Sequence, residues 1–253
     1  MIIIRLTNPI RNPTRGVGFR IGLWYNVNMA TIRKDKLENG QYYHIYSRSI
    51  AKYVIFNNTS EFNRMVDLLF LSNFVDFDYE YSKFSRLMEK EKKIIIDKLL
   101  NNDNKLVEIV AYCLMPTHLH ALLKQICDSG VTKYLNRSLS SYSKFFNTKH
   151  QRTGPLWESR FKNVLINDDQ QLLHLTRYIH LNPTSAGLVI RPEDWPYSSY
   201  SEYIDGQNDK YRICNKEIID MDTRAYKNFV NDNKKYQREL SIIKNLIIDD
   251  HTG

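Results

Sequence analysis

Two apolar runs separated by a proline constrain this chain most. Leu106 to Met115 is mostly apolar and β-prone, Pro116-Thr117 interrupts it, and His118 to Ile126 resumes with alternation. Such a pair reads as a hairpin of two sheet strands, because alternate residues of a strand project to the same side. Leu119, Ala121 and Leu123 then face a core, and His118, His120 and Lys124 share the opposite face. Tyr42 to Ser49 alternates in the same manner and forms a first strand, with Tyr43 and Ile45 on one side and His44, Tyr46 and Arg48 on the other. Phe161 to Ile166 supplies a fourth strand.

Helical signals fill the intervals. Asn58 followed by Glu61 has capping-box spacing, and Phe62, Met65, Val66, Leu69 and Phe70 recur at helical intervals toward Phe74. Residues 77–104 are charged and helix-prone, with Phe84, Leu87, Ile94, Ile95 and Leu99 as an apolar stripe, and read as an inserted helical arm. A helix of about 20 residues follows Gly130. Asn167 with Gln170 opens another that runs toward Pro183, with Gly187 as a later terminator. The order strand, helix, strand, strand, helix, strand, helix is that of the split β-α-β unit: an α+β, ferredoxin-like fold whose antiparallel four-stranded sheet carries helices on one face and leaves the other open.

Composition narrows the function classes. The 253 residues are 42% hydrophobic and 25% charged, an ordinary globular balance. No window supports a membrane span, and the start has no charged region followed by a long apolar one, so a cytoplasmic protein is expected. Cys113, Cys127 and Cys214 contain no C-x-x-C pair, which argues against a disulfide framework. The net charge of +8 points to a polyanionic partner, although Arg5, Arg11, Arg15 and Arg20 supply half of it within residues 1–28. That Pro- and Gly-punctuated stretch reads as an upstream extension ahead of a natural start at Met29, or as a basic arm for nucleic acid. At the other end, Asp205 to Asp209 reads as a linker. Residues 210–253 read as a helical extension with Tyr226, Phe229, Tyr236, Leu240, Ile243 and Ile247 at helical spacing.

Two constellations carry chemistry. His118 and His120 place two imidazoles about 7 Å apart at their α-carbons, able to converge on one cation. Two ordinary surface histidines would show the same pattern. A histidine-triad hydrolase would want a third histidine at Leu122, and a cupin a glutamate near Lys124 or Gln125; neither is present. A zinc site from Cys113, His118, His120 and Cys127 is a further alternative. On the last helix, His174, Tyr178 and Asn182 fall within about 80° of one another as a polar face beside the stripe Leu172, Leu175 and Ile179.

The strings YCLMPTHLH (112–120), GPLWESRF (154–161), YIHLNP (178–183), AGLV (186–189) and WPYSSY (195–200) resemble the single-tyrosine HUH transposases, in particular the REP-associated tyrosine transposases related to the insertion-sequence-200 group. The resemblance covers about residues 40–203. It implies a DNA strand-transfer enzyme acting on single strands folded as hairpins, with His118 and His120 as the metal pair, Tyr178 as nucleophile and Asn182 as a third ligand. Asn182 stands where many relatives carry glutamine, one methylene longer.

The chemistry is coherent on its own terms. A tyrosine with a reference pKa near 10 is only about 0.1% ionised at pH 7, a handicap of roughly 4 kcal/mol. Mg²⁺ or Mn²⁺ on two imidazoles and an amide oxygen would offset it by neutralising charge at the scissile phosphate. The expected product is a 5′-phosphotyrosine link and a free 3′-hydroxyl, reversible without ATP. Arg48, Lys124, Arg160, Lys162 and Arg177 are candidate phosphate contacts, and Trp157 and the tyrosines of 195–203 candidate stacking platforms for unpaired bases. His174 is a weaker candidate for DNA contact. The partner is single-stranded hairpin DNA, the protein a monomer or homodimer, nucleoid-associated when bound. The competing reading is an inactive, domesticated single-strand-binding protein.

Overall fold

The computed structural model describes residues 35–205 and 211–232; the expectations for residues 1–28 and for Tyr236 onward lie outside the described residues. Four strands, β1 (Tyr42–Arg48), β2 (Val107–Met115), β3 (His118–Gln125) and β4 (Lys162–Leu165), form one antiparallel sheet in the order β2-β3-β1-β4. The hairpin expected around Pro116-Thr117 is the β2–β3 pair, with Met115 opposite His118. β3 lies between β1 and β2 and runs antiparallel to both, which is the split β-α-β arrangement. The α+β class read from the sequence therefore stands.

Asn58 caps α1 (Thr59–Leu71), its side-chain oxygen accepting from the Glu61 N–H at 3.2 Å. Only half of the expected capping box forms. The Glu61 carboxylate instead accepts from the Asn57 N–H at 2.7 Å and meets Lys149 and His150, each at 2.8 Å. Burial pushes this carboxyl up, but the donors from Lys149, Asn57 and His150 outweigh it and hold its pKa at about 2. The helix stops at Leu71, short of Phe74: Asn73 lies beyond its end, and its side chain brackets Val107, donating to its carbonyl and accepting from its N–H, both at 3.0 Å.

The inserted arm is built from α2 (Tyr81–Phe84) and α3 (Glu89–Asn102). Phe84 and Leu99 of the expected stripe bury against Phe70, Leu71 and Phe74, whereas Ile94 is exposed. α4 (Gly130–Lys149) has the expected extent. α5 (Asp169–Ser185) is capped one residue later than expected, by Asp168, which accepts from the Gln171 N–H at 2.8 Å.

The two sheet faces correct the one-sided arrangement. Tyr43, Ile45, Leu119, Ala121 and Leu123 pack with Phe62, Met65 and Leu69 of α1 and with Val131, Tyr134 and Leu135 of α4. On the other face, Val110, Cys113, Met115 and Leu122 meet Leu172, Leu175 and Ile179 of α5. The physical reason is that both stripes are apolar: each fully buried aliphatic side chain contributes roughly 1.5–3 kcal/mol, so a helix with three such residues seeks the apolar end of the sheet. The same face stays accessible around Arg48, His118 and Lys162. α6 (Tyr200–Tyr203) and α7 (Thr223–Asn231) follow, and Tyr226 and Val230 of α7 enter the α5 core. No helix among the described residues is long and apolar enough to cross a membrane.

Candidate active site

Strand periodicity sets the first half of the site. His118 and His120 project from the same face of β3, with ring centroids 5.1 Å apart and planes at 84°. Register places Tyr46 directly opposite His120 and Arg48 opposite His118. The Tyr46 ring lies 5.0 Å from His120 and 5.4 Å from His118, and the Arg48 guanidinium sits 5.2 Å from the Tyr46 ring. Lys162 pairs with Tyr46 from the β4 side, so it projects from this face and is exposed. Thr117 Oγ1 is hydrogen-bonded to His118 Nδ1 at 2.8 Å.

His44 completes this half. It is fully buried, stacks on His120 at 5.3 Å with planes at 15°, and its Nε2 is 3.0 Å from His120 Nδ1. One ring donates an N–H and the other accepts, so the contact fixes the orientation of both.

The second half comes from α5. Docking of Leu172, Leu175 and Ile179 on the sheet turns the neighbouring Tyr178 toward the imidazoles. Its ring stands edge-on to His120 at 5.9 Å and to His44 at 6.4 Å. Tyr178 is 6% exposed and His120 0%, so the face expected to be polar and open is packed shut here. Asn182 lies one turn on, 8% exposed, its Nδ2 3.5 Å from the Tyr178 carbonyl. His120 thus adjoins both His118 and Tyr178, and Asn182 lies one helical turn beyond Tyr178.

The remaining candidates divide. Arg48, Arg160 and Lys162 are accessible to a ligand on this face or just before β4. Lys124 lies four residues along β3 from His120, about 13 Å away, and pairs with Glu108 at 3.5 Å. Trp157 is committed elsewhere, its indole N–H donating 3.2 Å to the Leu139 carbonyl on the α4 side. Arg177 is buried, with its guanidinium 4.8 Å from the Phe229 ring of α7 and donating to the Asp232 carbonyl. These three are therefore not displayed beside Tyr178. His174 likewise lies against Phe229, at 5.7 Å. Trp195 and Tyr197 pack on Phe62, and Tyr200 and Tyr203 are buried, so the 195–203 aromatics serve the interior rather than a stacking platform. Cys113 is core and Cys127 points at the Leu106 carbonyl; no cluster of three or more His, Cys, Asp or Glu side chains able to hold a metal occurs among the described residues. The zinc alternative is not formed.

His44 and Tyr46 are the site residues that sequence reasoning missed. Their alternation already placed them on one face of β1 with Arg48. What it lacked was the register that sets Tyr46 opposite His120 and the packing that stacks His44 on it.

A protein-family model described as transposase IS200-like matches residues 76–182, a stretch that contains His118, His120, Tyr178 and Asn182 but not His44. A candidate REP-associated tyrosine transposase of Haemophilus influenzae is 34% identical over 103 residues, covering 37% of this chain and 58% of the relative. A REP-associated tyrosine transposase of Escherichia coli is 26% identical over 93 residues, covering 37% of this chain and 54% of the relative. The chain thus spans little more than half the length of these curated relatives. A solved structure of a REP-associated tyrosine transposase bound to a REP hairpin aligns with a TM-score of 0.45 and 16% identity, covering 71% of this chain and 87% of that one. Over residues 76–182, then, the chain is similar to the IS200-like transposases.

Proposed function

We propose that this protein cleaves and rejoins single-stranded, hairpin-containing DNA through a covalent 5′-phosphotyrosine on Tyr178. One observation carries the reading: a phenol from α5 stands 5.9 Å, centroid to centroid, from one of two same-face imidazoles that lie nearly sixty residues earlier. Core packing alone requires a large side chain at position 178, not a tyrosine facing a histidine pair.

In the proposed step the Tyr178 oxygen bonds to the phosphorus, the phenolic proton leaves to solvent, and the bond to the upstream 3′-oxygen breaks, that oxygen taking up a proton. Arg48, Arg160 and Lys162 hold the phosphodiester on the accessible face. The donor set suits a cation: Nδ1 of each imidazole is engaged by a neighbour, Thr117 or His44, so Nε2 is the nitrogen each would present. His118, His120 and the Asn182 amide oxygen would hold Mg²⁺ or Mn²⁺, which supplies charge neutralisation at the scissile phosphate when bound. Both halves of the site come from one chain, which favours action within a subunit, and the site lies in the 40–203 catalytic domain. A cytoplasmic, nucleoid-associated location follows from such a substrate.

A second reading, a DNA-binding protein without turnover, is favoured by the near-complete burial of Tyr178 and His120. Incubation with a labelled hairpin oligonucleotide and Mg²⁺ or Mn²⁺, followed by denaturing electrophoresis, separates the two. The enzyme yields an adduct that disappears with Tyr178→Phe and with chelator. A native-gel shift with no adduct under either ion leaves only the binding protein.

A further inference from the structure

On the sheet face away from Tyr178, the inserted arm and α4 enclose a cleft of about 1010 Å³. Six cations line it, Arg64, Lys83, Arg86, Arg137, Lys144 and Lys149, against two carboxylates, Asp78 and Glu80. We infer that this cleft is a second nucleic-acid seat, which holds the phosphate backbone of a strand flanking the one that is cut. The identity of the ligand rests on the DNA-processing reading; the charge and shape of the cleft do not.

Cations come from both the arm and α4. Arg137 and Lys144 are two helical turns apart on one face of α4, about 10 Å, with Ser140, Ser141 and Thr148 on the same side as hydroxyl donors. The arm contributes Lys83 and Arg86 to the lining. The floor is fixed: the Arg64 guanidinium lies 3.7 Å from the Tyr81 ring and 4.8 Å from Phe145, and Tyr81 is tied by its hydroxyl to Asp67. Several cations have protein partners, Lys83 with Glu80, Lys149 with Glu61 and Arg137 with the Phe74 carbonyl. Arg86 and Lys144 form no ion pair among the described residues, and they line the cleft from two different segments, the arm and α4. Tyr79, 47% exposed at the rim, gives an unpaired base a ring to stack on. An acidic peptide would satisfy the charge but has no use for that combination of hydroxyl rows and an exposed ring, so nucleic acid is the better fit.

The test uses the full chain, a fluorescent hairpin oligonucleotide with single-stranded flanks, and anisotropy titrations over a series of salt concentrations. Arg86→Glu with Lys144→Glu should weaken binding at least about tenfold and lower the salt slope by one to two, because two phosphate contacts are lost. The Tyr178-dependent adduct should still form at saturating protein. Unchanged affinity and slope would overturn the inference. Photocrosslinking wild type to 4-thiothymidine-containing DNA removes any dependence on the variant's folding. Crosslinks within 77–86 or 137–148 support the seat, and crosslinks confined to other segments refute it. Binding that responds to the charge reversal without any adduct keeps the cleft and discards the transferase; an adduct with indifferent binding does the opposite.

Discussion

Acid should loosen the C-terminal clamp on α5, and His180 sets the window. Its ring is fully buried between the Tyr226 hydroxyl at 2.7 Å on Nδ1 and the Ser199 hydroxyl at 2.8 Å on Nε2. The rings of Tyr200, Tyr203 and Tyr226 surround it, and burial drives its pKa down to about 3. The phenols are kept neutral by burial, which raises all three. The native imidazole therefore stays neutral while the unfolded chain takes up a proton near 6.5, so stability is complete above that pH and is lost as the pH falls toward 3. Between pH 7 and pH 5 the loss is about 2 kcal/mol. Glu61, held at about 2, has an ordinary value near 4.5 and adds its own loss mainly below that, so this carboxylate contributes little in the interval. Calorimetric unfolding of wild type and His180→Gln at both pH values gives the double difference. Wild type should fall about 4–8 °C further than the variant. Equal falls would show that burial of this imidazole is not what makes the α5–α7 junction acid-sensitive.

Two further outcomes follow from specific contacts. His44→Phe keeps a stacked ring on His120 but removes the 3.0 Å N···N bond; Mn²⁺ affinity, read by titration calorimetry as well as by adduct yield, should drop about 10–100-fold while melting changes little. Gly130→Ala puts a Cβ 2.2 Å from the Leu106 carbonyl oxygen, a backbone atom that cannot swing aside, and urea unfolding should show a loss of roughly 1–3 kcal/mol.

Local signals were enough for the elements. The strand of His118 to Gln125, the break at Pro116 and the cap at Asn58 each depend on a few adjacent residues whose geometry is intrinsic to the chain. The pairing of His118 with His120 and the alignment of Tyr178 with Asn182 are equally local, being consequences of two-residue and 3.6-residue periods. The displaced cap at Asp168 shows the resolution of such signals: Asn167 and Asp168 both offer an acceptor, and the reciprocal bond from Asn167 N–H to Gln171 selects the later register.

Contacts between distant segments decided the rest. Helical angles alone put Arg177 near Tyr178, yet α7, some fifty residues later, covers it and takes its guanidinium out of reach of solvent. His44 gains meaning only because β1 lies beside β3, and the closed state of Tyr178 arises because an apolar stripe on α5 had an apolar patch of β2 and β3 to bury. Periodicity determines which side chains share a face. Which faces meet is a competition among all the apolar surfaces of the chain, and that is settled only when the chain packs.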